Sequence, residues 1–171
     1  METGQLDLEG LALRGGQATA VDFRLDPEPP VIGAQPYPVE GKFVDARVEI
    51  SRTTSGYALR LLAETSIGGP CVRCLEHTTL PLTISSREVD QPRTDDGELR
   101  SPYVAAGILD ATAWLHDAIM LALPERILCR PDCLGLCEVC GIALNDLEPG
   151  SHSHPKPLDP RFAKLRELSG D

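Results

Sequence analysis

Eight residues with metal-binding side chains lie along the chain in four close pairs, and their spacing restricts the folds open to it. Cys71 and Cys74 form one C-x-x-C, Cys129/Cys133 and Cys137/Cys140 crowd into a single short run, and His152 and His154 follow closely. A tetrahedral zinc ion needs four soft or borderline donors, and a tight turn that aims two side chains at one point supplies half of its shell. Eight donors suffice for two such sites. Any fold that completes both must carry the first pair to the distant C-terminal cluster.

The alternative use of six cysteines is a disulfide framework. Met1 to Gly10 contain neither a basic n-region nor an apolar h-region, and no apolar run reaches the roughly 18 residues of a membrane helix. A cytoplasmic location is therefore expected, where thiols stay reduced and cysteine pairs favour metal. The net charge of −10 counts against a protein that grips duplex phosphates. With aromatics at 4%, a base-stacking platform is also hard to build. An acidic surface suits a basic protein partner, or simply solubility.

With 171 residues, one domain is the default. Val44, Ala46, Val48 and Ile50 alternate with polar residues, the period-2 pattern of a half-buried strand. Thr53-Thr54-Ser55-Gly56 supplies a turn, Tyr57, Leu59, Leu61 and Ala63 restart the alternation, and Leu80, Leu82 and Ile84 mark a third strand. An antiparallel meander follows, with Cys71 and Cys74 at the tip of its second hairpin. Upstream, Asp26 to Pro38 is too proline-dense for a helix or a central strand. Gln91 to Pro102 reads as a solvated loop.

The period then changes. Asp110 caps a helix carrying Trp114, Leu115, Ala118, Ile119 and Ala122, and Pro124 ends it. Met120, Leu121 and Leu123 make it apolar nearly all round, so deep packing is expected. Asp159-Pro160 opens a short amphipathic helix through Phe162, Leu165 and Leu168. The expected fold is α+β: an antiparallel sheet, barrel-like or sandwiched, with one buried helix and a C-terminal zinc-knuckle segment. Residues 1–128 form the β-rich part and residues 129–171 the Cys/His segment with its short helix, packed as one domain.

Cys137-Glu138-Val139-Cys140-Gly141 has the form of a zinc-ribbon knuckle, because a glycine there accepts the left-handed turn that aims backbone N–H groups at the thiolates. In an extended segment His152 and His154 project to one side, and Pro155 and Pro157 favour extension. Two pairings are open. One joins Cys71, Cys74, Cys129 and Cys133, and separately Cys137, Cys140, His152 and His154. The other gives the four clustered cysteines one ion and pairs Cys71/Cys74 with the histidines. The first is preferred, since Cys133 and Cys137 flank Gly135 and can diverge to two centres; a single zinc with spare cysteines is the remaining case. His77 and His116 read as surface residues, the latter beside Asp117.

Catalytic zinc keeps an open position and a nearby base. No H-E-x-x-H occurs, and no histidine or cysteine precedes Cys71 to complete the deaminase pattern that Pro70-Cys71-Val72-Arg73-Cys74 half matches. Neither a G-x-G-x-x-G nor a P-loop appears. No enzymatic activity is expected.

Cys71-Val72-Arg73-Cys74-Leu75, Leu121-Ala122-Leu123-Pro124, the run Cys129 to Asn145, and Asp159 to Leu165 follow in an order that resembles the YceD-like family. These bacterial and plastid proteins are named for accumulation of large-subunit ribosomal RNA. The resemblance spans roughly residues 40 to 168. It implies a non-enzymatic role in synthesis, processing or stability of 23S ribosomal RNA, hence in large-subunit biogenesis. The net charge of −10 weighs against direct binding of naked RNA, so a pre-ribosomal large subunit or basic ribosomal protein is the expected partner. Many relatives carry C-x-C where this chain has His152-Ser153-His154, a swap that keeps the ligand chemistry. The rival reading is a zinc-ribbon adaptor mediating protein contacts, for instance in transcription.

Overall fold

The computed structural model describes residues 4–92, 96–148 and 150–155. Its strands, in chain order, are β1 (Gln5–Asp7), β2 (Ala18–Leu25), the short β3 (Val31–Ile32) and β4 (Gln35–Pro36), β5 (Val44–Arg52), β6 (Tyr57–Pro70), β7 (His77–Asp90), β8 (Val104–Ala105) and β9 (Ile108–Asp110). One α-helix, α1 (Ala111–Ala122), follows β9 directly. The expected C-terminal helix after Asp159 lies outside the described residues.

The period-2 pattern builds the main sheet. β2, β5, β6 and β7 pair antiparallel in that order. In β5 the residues at Val44, Ala46, Val48 and Ile50 are buried, and Tyr57, Leu59, Leu61 and Ala63 of β6 join them on the same face. A one-residue slip would turn this whole set to solvent, so burial fixes the register. The predicted turn holds: Thr53 N–H donates to the Gly56 carbonyl at 2.9 Å, and Gly56 N–H to the Thr53 hydroxyl at 3.0 Å. β7 starts at His77 and pairs with β6 over its full length, down to Pro70 opposite His77. The third predicted strand is thus longer at both ends than its apolar residues showed.

Two smaller sheets accompany the main sheet. β1, β9 and β8 pair antiparallel, as do β3 and β4. Leu8, Leu109, Tyr37 and Val39 from these regions share one apolar cluster with the main sheet and with Trp114, Leu115 and Ile119 of α1. Tyr57 fastens the sheet to the end of β1 through a buried hydrogen bond from its hydroxyl to the Leu8 carbonyl, at 3.0 Å. The proline-dense segment is ordered by the same means. Tyr37 is buried and its hydroxyl donates to the Pro70 carbonyl, 3.1 Å away at the base of the cysteine hairpin.

Helix α1 begins where Asp110 accepts the Ala113 N–H at 2.9 Å, and Leu123, just before Pro124, closes it. Trp114 anchors it to the sheet through an indole N–H donated to the Ser86 hydroxyl at 2.9 Å. The helix is less enclosed than its composition suggests: Ala111, Trp114, Leu115, Ala118 and Ile119 are buried, but Leu121 is 86% exposed and Met120 39%. Three turns resting on one sheet face bury one stripe, and composition does not create a second wall. His116 lies on the outer side with Nδ1 3.0 Å from Asp117, as expected. Among the described residues no helix is long and apolar enough to cross a membrane.

Asp110→Ala removes the helix cap and is expected to lower stability by about 1 kcal/mol, read as a drop in urea midpoint with unchanged slope.

Candidate metal centres

The hairpin joining β6 to β7 ends in a tight loop, Cys71 to Glu76. Cys71 N–H donates to the Glu76 carbonyl at 2.8 Å and Leu75 N–H to the Cys71 carbonyl at 3.0 Å, with Leu75 at φ 64°. The run Cys137 to Ile142 repeats this scheme. Cys137 N–H donates to the Ile142 carbonyl at 2.9 Å and Gly141 N–H to the Cys137 carbonyl at 2.8 Å, with Gly141 at φ 74°. The two C-x-x-C segments are therefore the same knuckle built twice. One uses the glycine that the left-handed position favours, and the other forces a leucine into it.

The knuckle geometry acts on its first sulfur. Burial pushes the Cys71 thiol up, but N–H groups of Cys74, Arg73 and Cys129 and the Cys74 thiol outweigh it and bring it down to about 6. The Cys137 thiol is likewise lowered to about 6, by N–H groups of Cys140 and Val139 and by His152. Cys74 shows the opposite result. The Glu76 N–H pulls it down, yet burial and the sulfurs of Cys129, Cys71 and Cys133 push it up to about 12. Four crowded sulfurs cannot all ionise beside one another unless a cation joins them.

Each knuckle meets its partners as the preferred pairing requires. Cys71, Cys74, Cys129 and Cys133 gather so that all their donor atoms lie within 4.8 Å of one another, and Cys137, Cys140, His152 and His154 do the same. Cys71 and Cys133 sulfurs are 3.8 Å apart and those of Cys74 and Cys129 3.6 Å. A tetrahedron with metal–sulfur bonds of about 2.3 Å has sulfurs about 3.8 Å apart, whereas a disulfide brings them to about 2.05 Å. In the second group the Cys140 sulfur is 3.3 Å from His152 Nε2 and 3.2 Å from His154 Nε2, and the two nitrogens are 3.0 Å apart. Metal–nitrogen bonds of about 2.0 Å place two nitrogens about 3.3 Å apart. Both donor sets fit a four-coordinate ion.

The centres differ in setting. Cys71, Cys74 and Cys133 are buried, with Leu128 and Cys129 packed on them, whereas Cys140 is exposed. They are also joined. Gly135, at φ 81°, turns the chain from one to the other, and a side chain there would press on the Arg73 carbonyl. Arg73 donates to the Cys133 carbonyl at 2.6 Å. Asn145 donates to the Cys133 sulfur at 3.4 Å and accepts the Leu134 N–H at 2.8 Å. Leu144 N–H returns to the Gly135 carbonyl at 2.9 Å. Arg73 and Asn145 support the site without being ligands, and a reading for ligand side chains alone does not single them out. Their signal is position, one inside a knuckle and one five residues beyond Cys140. His77 is exposed and takes no place in either group.

The chain is an antiparallel-sheet protein whose hairpin tip and C-terminal run are gathered into two Cys/His tetrads, each able to hold a metal ion. The family model described as "Large ribosomal RNA subunit accumulation protein YceD" matches residues 59–169, and the chain belongs to that family. The match is shorter at its start than the resemblance suggested, and it contains all eight donors. The chain is 32% identical over 136 residues to uncharacterized proteins of Mycobacterium bovis and Mycobacterium tuberculosis, covering 77% of this chain and 64% of each relative. An uncharacterized protein of Mycobacterium leprae is 34% identical over 103 residues, covering 57% of this chain and 46% of its own length. The chain thus spans somewhat less than two thirds of the curated relatives it matches. No solved structure matches.

Because no atom surrounds the side-chain position at Gly141, Gly141→Ala isolates backbone strain and is expected to cost about 1 kcal/mol. Leu75→Gly, at a position already in the left-handed region, is expected to leave stability unchanged or raise it. Denaturant midpoints of the metal-loaded variants check the contrast.

Proposed function

We propose that this chain is a non-enzymatic cytoplasmic factor for the synthesis, processing or stability of 23S ribosomal RNA in large-subunit biogenesis, held together by two structural zinc ions. The observation that carries the reading is the closure of both tetrads by four protein donors each, within a segment that belongs to the family named for large-subunit RNA accumulation. A shell completed by the protein has no position for a reacting water, which is the mark of a structural rather than a catalytic zinc. The mixed thiolate and thiolate–imidazole donors suit zinc over hard cations. The shared core of the three sheets supports a sandwich-like wrap, and the first tetrad, spanning residues 71 to 133, supports treating the two segments as one domain.

The net charge of −10 favours a basic ribosomal protein or the pre-ribosomal large subunit as partner over naked RNA. One observation favours the adaptor reading as a second possibility: Leu134, Val139 and Ile142 are exposed around the second tetrad, as in a ribbon that presents apolar side chains to another protein.

Native mass spectrometry of the intact protein is expected to show two zinc ions. Cys71→Ser should remove the first ion and unfold the hairpin junction, while Cys140→Ser should remove one ion with a smaller loss of stability. Zero metal in gently purified protein would contradict the assignment. Depletion in cells is expected to reduce large subunits and 23S RNA on sucrose gradients; an unchanged profile would favour the adaptor.

A further inference from the structure

The main sheet has two edges, β2 and β7, and they are treated differently. An open edge offers unpaired N–H and C=O groups to any passing strand, and proteins guard it with charge, proline or a covering element. β2 carries Asp22 and Arg24 and runs into Asp26-Pro27. β7 carries Pro81 and Arg87, and the stretch between them, Leu82 to Ser86, bears neither charge nor proline.

Pro81 also reports which way the edge faces. In an antiparallel ladder both backbone groups of a residue point to the same side, alternating along the strand. A proline inside a sheet stands where its missing N–H would face outward. With Pro81 opposite Ser66, the outward groups of β7 belong to Thr83, Ser85, Arg87 and Val89. Gln91 continues the series, and its N–H does bond outward, to the Leu99 carbonyl at 2.8 Å. Among the described residues the backbone groups of Thr83, Ser85, Arg87 and Val89 have no partner beyond β6. All four residues are exposed.

Beside this edge runs a groove of about 250 Å³ between Thr83, Ile84, Ser85 and Ser86 on the strand and Ala118, Leu121 and Ala122 on α1. The exposed Leu121, unexplained by core packing, forms its far wall. A strand edge, an adjacent trough lined by both hydroxyl and aliphatic side chains and a helix as second wall make up a site for strand addition, in which main-chain bonds give affinity and alternate side chains enter the trough.

We propose that β7 takes up an extended segment of a basic protein, which adds a strand at Thr83–Arg87 and rests its apolar side chains against Leu121 and Ala118. The proposal rests on the functional reading only for the partner being a basic protein. Charge selects this occupant over a second copy: each chain carries −10, and two copies pairing about Ser85 would set Pro81 against Val89 and lose a bond at each end.

The test uses the full-length, metal-loaded protein and two octapeptides alternating valine with lysine or valine with glutamate. Amide spectra are expected to shift at Thr83, Ser85 and Arg87 with the lysine peptide. Binding of the glutamate peptide should be at least tenfold weaker. Methylating the peptide nitrogens on one edge should abolish binding, and methylating the other edge should not. Ser85→Pro removes an outward N–H in the manner of Pro81, and Leu121→Glu charges the exposed wall; each should weaken binding at least tenfold with metal content unchanged. Three results would overturn the proposal: shifts that map away from β7, binding by both variants as tight as by the unaltered protein, or these amides being protected without peptide. Protection that grows with protein concentration would identify a second copy, and protection at every concentration the chain's own residues. Ser85→Pro that fully restores 23S RNA in depleted cells would overturn the edge site while leaving the functional reading intact. Peptide binding at β7 with no RNA defect on depletion would do the reverse.

Discussion

The four-sulfur clasp is the constraint on which the rest of the molecule depends. It joins Cys71 and Cys74, at the tip of the β6–β7 hairpin, to Cys129 and Cys133, beyond the helix. Closing a loop of 55 residues between Cys74 and Cys129 costs about 4 kcal/mol in chain entropy by the usual cross-link relation. A structural zinc site contributes roughly 10–16 kcal/mol, so an ion of the kind proposed would more than offset that closure. The main sheet can then remain four strands wide, with α1 covering part of one face. Val72 N–H donates to the Ile127 carbonyl at 2.9 Å, so the hairpin tip and the chain after the helix are also joined through backbone.

The second tetrad depends on the first. Gly135 lies against the Arg73 carbonyl, and Asn145 touches both the Cys133 sulfur and the Leu134 backbone. The second knuckle is thus suspended from the wall of the first site. Its own surroundings are open, with Cys140 exposed, and the short bridge between Leu136 and Ala143 adds to the knuckle's own hydrogen bonds in stiffening it. A metal held by buried thiolates shielded by Leu128 would exchange slowly, and one held by the half-buried imidazoles and the exposed Cys140 would not share that protection. The two knuckles share their backbone hydrogen bonding, so the centres differ in burial and in donor set, four thiolates against two thiolates and two imidazoles.

Much of this was legible in the sequence because it obeys strong local rules. Period-2 alternation located β5, β6 and the middle of β7, and Asp110 and Pro124 bracketed α1. The knuckle form of Cys137 to Gly141 announced its left-handed turn. The preferred ligand pairing followed from Gly135 lying between Cys133 and Cys137. What stayed hidden depends on contacts between distant segments. β1, β8 and β9 are only two or three residues each and exist because they pair across the domain, which no local pattern encodes. Tyr37 lies in a proline-dense stretch that offers no period, and its role rests on Pro70, 33 residues away. The exposure of Leu121 was missed because apolar residues around a helix report composition, while burial reports what stands opposite. Leu75 in a glycine's place hid the equivalence of the two knuckles.

The pairing of ligands is the claim that everything else assumes. Substituting cadmium-113 for the native metal in the full-length protein and recording proton–cadmium correlations reads that pairing directly. The account predicts two cadmium resonances. The one deshielded by four thiolates should correlate with the β-protons of Cys71, Cys74, Cys129 and Cys133, and the other with Cys137, Cys140 and the rings of His152 and His154. A four-thiolate resonance correlated instead with Cys129, Cys133, Cys137 and Cys140, or a single resonance, would contradict it.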